Sequence, residues 1–196
     1  MADGESRGGT IVPLVVTVWS VGHSTRSFAD FLALLREHGI QRLVDVRHFP
    51  SSERVPWTNR DALDRTLRET GIAYAHREPL GGYRTPRADS SNTGWRSAGF
   101  RGYADHMAEP GFRQALDRLI LEAQEERTAV MCAEAVPWRC HRSLLADALL
   151  ARGGRVLHVL GPGSVREHRL TPFARVREGL VTYPGPKGKG LKRPRP

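Results

Sequence analysis

Two cysteines, a glutamate and a histidine fall within one short stretch of this chain, MCAEAVPWRCHRS at 131–143. A thiol beside a carboxylate and an imidazole suits nucleophilic or redox chemistry, because the thiolate attacks while its neighbours move protons. Cys132 ends an apolar run and Cys140 opens an amphipathic one. A loop between them would pass the positive end of a helix, and Arg139, His141 and Arg142 add charge that lowers a thiol pKa and holds an anion. On this reading Cys132 is the nucleophile or redox thiol, Glu134 the general acid or base, and His141 and His23 the proton shuttles. Ser24, Asp45, Arg47, Arg101, Tyr103, Arg139, Cys140 and Arg142 are the expected ligand-binding set, with Arg47, Arg139 and Arg142 on the anion.

Each of these residues also has an ordinary structural role open to it. Cys132 suits a small core position and Cys140 an inward thiol in a first helical turn, while Asp45 with Arg47 suits a buried ion pair. The two cysteines are near enough in sequence to bridge across one loop. Zinc on Cys132, Cys140 and His141 is disfavoured: adjacent residues of one helix point about 100° apart, and there is no CxxC pair. A zinc-deaminase pattern fails because Ser143 stands where a second cysteine is needed. No metal and no cofactor are expected.

The elements that must position these groups alternate. LVVTVWSV at 14–21, Ile40–Val46, Ile72–His76, TAVMC and RVLHVL read as strands, the last being the final one. Between them lie a helix capped by Ser27 with Asp30, a second capped by Asn59, a short one over Phe100–Met107, one opened by Pro110, and CHRSLLADALLARGG. The pattern predicts a single three-layer α/β domain over 14–180, with a mostly parallel sheet and helices on both faces. Ligands of such sheets bind outside the carboxyl ends of the strands, where this chain places His23, Ser24, Asp45, Arg47, His48, His76, Glu78, Cys132 and Glu134. The turn-rich stretch Gly81–Gly99 reads as a long ordered loop or lid. Trp57, Trp95 and Trp138, with Arg54, Arg84, Arg87 and Arg96, suit either base stacking beside phosphates or simple loop anchoring.

At 196 residues, 39% hydrophobic and without a long apolar run, the chain excludes a membrane span, and its start lacks a secretory pattern. A cytoplasmic protein is expected. The net charge of +9 points to an anionic small molecule or nucleic acid as partner, although only three of 30 basic residues are lysine, which fits a GC-rich genome equally. Five of the basic residues lie beyond Val181 with no acid among them, so residues 181–196, like 1–13, are expected to be flexible tails.

LVDVR, a strand ending in cysteine, and RS opening a helix closed by GG resemble the rhodanese and cysteine-phosphatase style of domain. That resemblance implies Cys132 as nucleophile in an anion cradle, although the expected arginine does not fall six residues on. VGHSTRS, LVDVRHFP, PLGG, FRGYADHM and MCAEAVPWRCHRSLLADALLARG more closely resemble the bacterial family called domain of unknown function 488. The matching positions are His23, Ser24, Asp45, Arg47, Gly81, Gly82, Arg101, Tyr103, Cys132, Glu134, Cys140, His141 and Arg142. The resemblance implies no settled activity. The readings that stand are a cysteine-dependent enzyme acting on a nucleotide, nucleic-acid or phosphorylated ligand, a rhodanese-like sulfurtransferase, a nucleic-acid-binding module with structural cysteines, and a zinc-stabilised interaction domain.

Overall fold

The structure is a computed structural model that describes residues 15–186. The β-branched run after Val16 forms β1 (Thr17–Gly22), and Ser27 caps α1 (Phe28–Glu37) by accepting the Asp30 amide and donating to its carboxylate. Then follow β2 (Arg42–Asp45), α2 (Arg60–Glu69), β3 (Ala73–His76), α3 (Ala98–His106) and α4 (Pro110–Glu125). The chain continues through β4 (Thr128–Cys132), α5 (Arg142–Ala151) and β5 (Arg155–Gly161). Asn59 stands at the start of α2 as expected, but its side chain does not cap it; the amide oxygen accepts the Ser52 amide at 2.6 Å and ties down the preceding loop.

Six strands form one sheet in the order β3-β2-β4-β1-β5-β6, parallel except at the last pair. Alternation along each strand divides the core between the two faces. Leu43, Val21 and Met131 meet the Phe31, Leu35, Leu63 and Leu67 faces of α1 and α2. Val18, Val44, Val130 and Cys132 face α3, α4 and α5. The expected three-layer α/β architecture is therefore present. Because β1 sends its connection over one face and neighbouring β4 over the other, a crevice opens at their carboxyl ends.

Three strands follow the one expected to be last. Antiparallel β6 (Ser164–Glu167) closes the sheet edge, and β7 (Arg175–Arg177) pairs with β8 (Leu180–Thr182). The flexible C-terminal tail expected from residue 181 thus begins too early. Val181 and Tyr183 are buried, and the Tyr183 ring packs on Trp95 and Phe173. The short apolar run at 180–183 was masked by the Pro, Gly and Lys that follow it. The expected tails at 1–13 and 187–196 lie outside the described residues. Among the described residues, no helix is long and apolar enough to cross a membrane.

Candidate functional site

The crevice holds a cavity of about 470 Å³, whose lining includes His23, Arg47, Tyr103, Cys132, Glu134, Arg139, Cys140 and His141. Eight of the predicted site residues therefore converge on one cavity. Two contacts extend the β1–β4 pairing beyond the strand ends and set His23 beside Cys132: the His23 amide donates to Cys132 O at 3.1 Å, and the Ser24 amide to Ala133 O at 2.9 Å. Gly22 makes this approach possible, since a Cβ there would lie 1.9 Å from the Glu134 carbonyl oxygen. Ser24 itself, at φ 52°, turns the chain away and does not line the cavity.

At the cavity floor Cys132, Cys140 and His141 bring their donor atoms within 4.8 Å of one another. The objection that neighbours 140 and 141 must diverge assumed both to be helical. Cys140 is extended (φ −133°, ψ 151°), His141 is the N-cap, and α5 starts only at Arg142. The His141 Nε2–H donates to Val46 O at 3.0 Å, which leaves Nδ1 as a lone pair 3.6 Å from Cys140 Sγ. Both thiols are buried and unbridged. Their interaction pushes Cys132 well above the ordinary thiol range, burial adding to it, and the same contact holds Cys140 well below, with His141 and Arg142 assisting against burial. The thiol held low is thus Cys140 rather than Cys132, chiefly through the contact between the two sulfurs, with His141 beside residue 140 adding to it.

Burial lowers His23 to about 4, more than the bond from its Nδ1–H to Ser24 O raises it. Its Nε2 is buried and has no partner. Glu134 is exposed on the cavity wall, two residues beyond Cys132.

Two of the three expected anion-holding arginines are occupied elsewhere. Arg47 is buried on Asp45, with Nε 2.9 Å from Oδ1, and also donates to Thr58 O. Asp45 accepts from Tyr74 as well and does not reach the cavity; this is the buried ion pair left open above. Arg142, 1% exposed, donates to Ser20 Oγ and to Glu134 O, and so clamps the 133–141 loop to β1. Only Arg139 is exposed at the cavity. Arg101 lies outside the lining, and the Tyr103 hydroxyl donates to Leu80 O while its ring rests 5.0 Å from that of His141.

The tryptophans anchor loops. Trp57 packs on Phe28 and Phe31, and Trp95 on Phe100, Phe173 and Tyr183. Trp138 is half exposed under Arg166 and outside the cavity. Arg84 and Arg87 are paired with Glu78 and Asp89. Of the expected 81–99 loop, residues 81–97 form an ordered loop and the last two open α3; the loop is stapled by Asp105, which accepts from the Arg87 amide, Ser90 Oγ and Asn92 Nδ2.

Sequence reasoning missed the cavity rim. Phe49 and Tyr83 are 63% and 84% exposed, with ring centroids 5.8 Å apart, and His48 touches Phe49 at 4.4 Å. Tyr83 is held at φ 59°, an uncommon conformation for a bulky residue and one that clusters at ligand sites. The only sequence signal was position: Phe49 follows LVDVRH and Tyr83 follows the Gly81–Gly82 pair. A sequence model of the family described as Domain of unknown function DUF488 matches residues 27–149. No curated protein and no solved structure matches the chain.

Proposed function

The chain belongs to the family of domain of unknown function DUF488, and on that premise we propose that it is a cysteine-dependent enzyme whose cavity takes a nucleotide, free or within a strand. The observation that carries this reading is the exposed Phe49–Tyr83 pair at the mouth of a cavity floored by thiols and imidazole. Large apolar rings left in water at a cavity rim favour a flat partner, and stacking a base on an aromatic ring is worth about 1–3 kcal/mol. Arg139, exposed in the cavity lining, would meet the phosphate. The volume of about 470 Å³ lies within the usual range for small-molecule sites. Once a base covers the rim, the reacting atom meets the Cys132–Cys140–His141 floor, with Glu134 and the unpartnered His23 Nε2 available to take a proton.

The test is binding and turnover of mononucleotides and of a short single-stranded oligonucleotide. Phe49→Ala and Tyr83→Ala are expected to weaken whichever binds by about tenfold or more each, while Cys140→Ser abolishes turnover and keeps binding. Preference for the mononucleotide assigns a free nucleotide, and preference for the oligonucleotide assigns a strand. Unchanged affinity in both rim variants overturns the reading. Binding without any turnover, insensitive to Cys140→Ser and steeply salt-dependent, identifies a binding module instead.

A further inference from the structure

We propose that Cys132, Cys140 and His141 are three ligands of one zinc-class divalent metal ion, whose fourth position faces the cavity. The inference deepens the enzymatic reading and rests on it for its purpose, although metal binding itself is measured without substrate.

The geometry is that of a ligand set. In a tetrahedral centre with Zn–S about 2.3 Å and Zn–N about 2.05 Å, a sulfur and a nitrogen stand about 3.6 Å apart. Cys140 Sγ and His141 Nδ1 stand 3.6 Å apart, and Cys132 Sγ completes a triangle with all edges within 4.8 Å. His141 is in the tautomer that ligation by Nδ1 requires, since Nε2–H is spent on the Val46 carbonyl. A backbone carbonyl on the far nitrogen is the usual support of a metal-bound histidine. Space is kept in front of the ligating nitrogen: a Cβ on Gly82 would come within 2.9 Å of Nδ1. The ligands come from two elements already locked together, Cys132 by the sheet and the 133–141 loop by Arg142. Little ordering is left for the ion to impose.

Chemistry narrows the ion. Two sulfurs and an imidazole are a borderline-soft set that selects zinc over magnesium or calcium. One divalent ion enters as the thiols give up their protons, and two thiolates balance its charge. With three protein ligands on the floor of an open cavity, the remaining position is left for water or substrate, the arrangement of catalytic rather than structural zinc. Glu134 on the same wall is placed to take a proton from a bound water.

The full chain, purified under reductant without added metal, is expected to carry close to one equivalent of zinc by elemental analysis. After stripping with chelator, it should bind Zn²⁺ in competition with a chromophoric chelator. Co²⁺ should give thiolate charge-transfer bands and intense tetrahedral d–d absorption. Cys132→Ser and Cys140→Ser are expected to remove the charge-transfer bands stepwise and to weaken Zn²⁺ by a hundredfold or more, and His141→Gln by at least about tenfold. Circular dichroism checks the fold of each variant. Should a cysteine variant not fold, protection of both wild-type thiols from alkylation by one equivalent of Zn²⁺ reports the same ligation. A weak octahedral Co²⁺ spectrum, thiols that alkylate equally with and without Zn²⁺, or isolation of the pair as a disulfide that zinc does not prevent overturns the proposal. Nucleotide binding to the stripped chain is measured in parallel. If the chain takes up no Zn²⁺ while nucleotide binding persists, only the metal inference falls; if Phe49→Ala leaves binding unchanged while Zn²⁺ still loads, only the nucleotide reading falls.

Discussion

Two clusters of titratable side chains flank α5, and they differ in what is left unspent. At its amino end, Cys132, Cys140 and His141 open on the cavity, with the lone pair of His141 Nδ1 turned toward the sulfurs. Farther along, Asp147 is fully buried and accepts from Tyr183 OH at 2.8 Å, His168 Nε2 at 2.9 Å and the Thr171 amide at 2.9 Å. His158 extends that chain to His168 at 3.0 Å. An acid-histidine-histidine row looks catalytic in outline, yet its carboxylate has no oxygen left to use. It fastens the β7–β8 end of the chain to α5. The lesson is that residue type does not distinguish a reactive cluster from a fastening: Asp147 is spent on Tyr183, His168 and Thr171, and in that row only His158 Nδ1 is left without a partner.

The contrast is broken or sharpened most strongly at Asp147. Asp147→Ala leaves the Tyr183 hydroxyl and His168 buried without their acceptor, and is expected to cost about 3–5 kcal/mol of stability by urea unfolding. Zinc and nucleotide affinity of the remaining folded protein should be unchanged. Acid should act on the same cluster. Burial, then the charges of His168, Arg142 and Arg166, lower His158 to about 3. Below pH 6.5 the unfolded chain takes up a proton that the folded one refuses, so the His158 contribution is complete above pH 6.5. It declines toward pH 3 by about 1.4 kcal/mol per pH unit. His158→Gln should flatten that part of the stability-pH curve, and an unaltered slope would remove His158 as its source.

Effects at the open cluster should fall on function. Phe49→Ala and Tyr83→Ala are each expected to cost about 1–3 kcal/mol of nucleotide binding, read by titration, with an unfolding midpoint close to that of the parent. Cys140→Ser should shift stability by no more than about 1 kcal/mol while removing turnover, the opposite profile to Asp147→Ala. The smallest effect belongs to Arg139→Gln: a modest loss of affinity, with the slope of log affinity against log salt reduced by about one for an oligonucleotide.

Much of the fold was legible because it is written locally. Ser27 with Asp30 declares a helix start, and Gly39, Gly71 and Gly153, all at positive φ, declare helix ends. The alternation that puts Val130 and Cys132 on one face of β4 is likewise a property of consecutive residues. The convergence of His23, Cys132 and Glu134 followed from strand ends, and that of Cys140 and His141 from the loop that leads into α5. What stayed hidden depends on distant partners. Nothing near Arg142 says that its guanidinium turns inward to residues 20 and 134, nor does anything near Asp147 announce His168 or Tyr183. The grouping of Cys132, Cys140 and His141 is hidden by where α5 begins: with its start at 142, extended Cys140 and the cap at His141 bring their donor atoms together. Phe49 and Tyr83 carry no local signal of their place at the rim, because exposure of an aromatic ring is a property of the fold.

Gly22 carries a consequence for descent. A side chain of any size at that position would drive back the carbonyl of residue 134, on which Arg142 closes the loop bearing Cys140 and His141. The geometry therefore predicts that the cysteines and this glycine travel together: a relative with a side chain at this position is expected to hold the loop differently, whatever thiols it still spells out. Sorting relatives by what stands at position 22, ahead of any cysteine count, should separate lineages that retain the chemistry from those that keep only the scaffold.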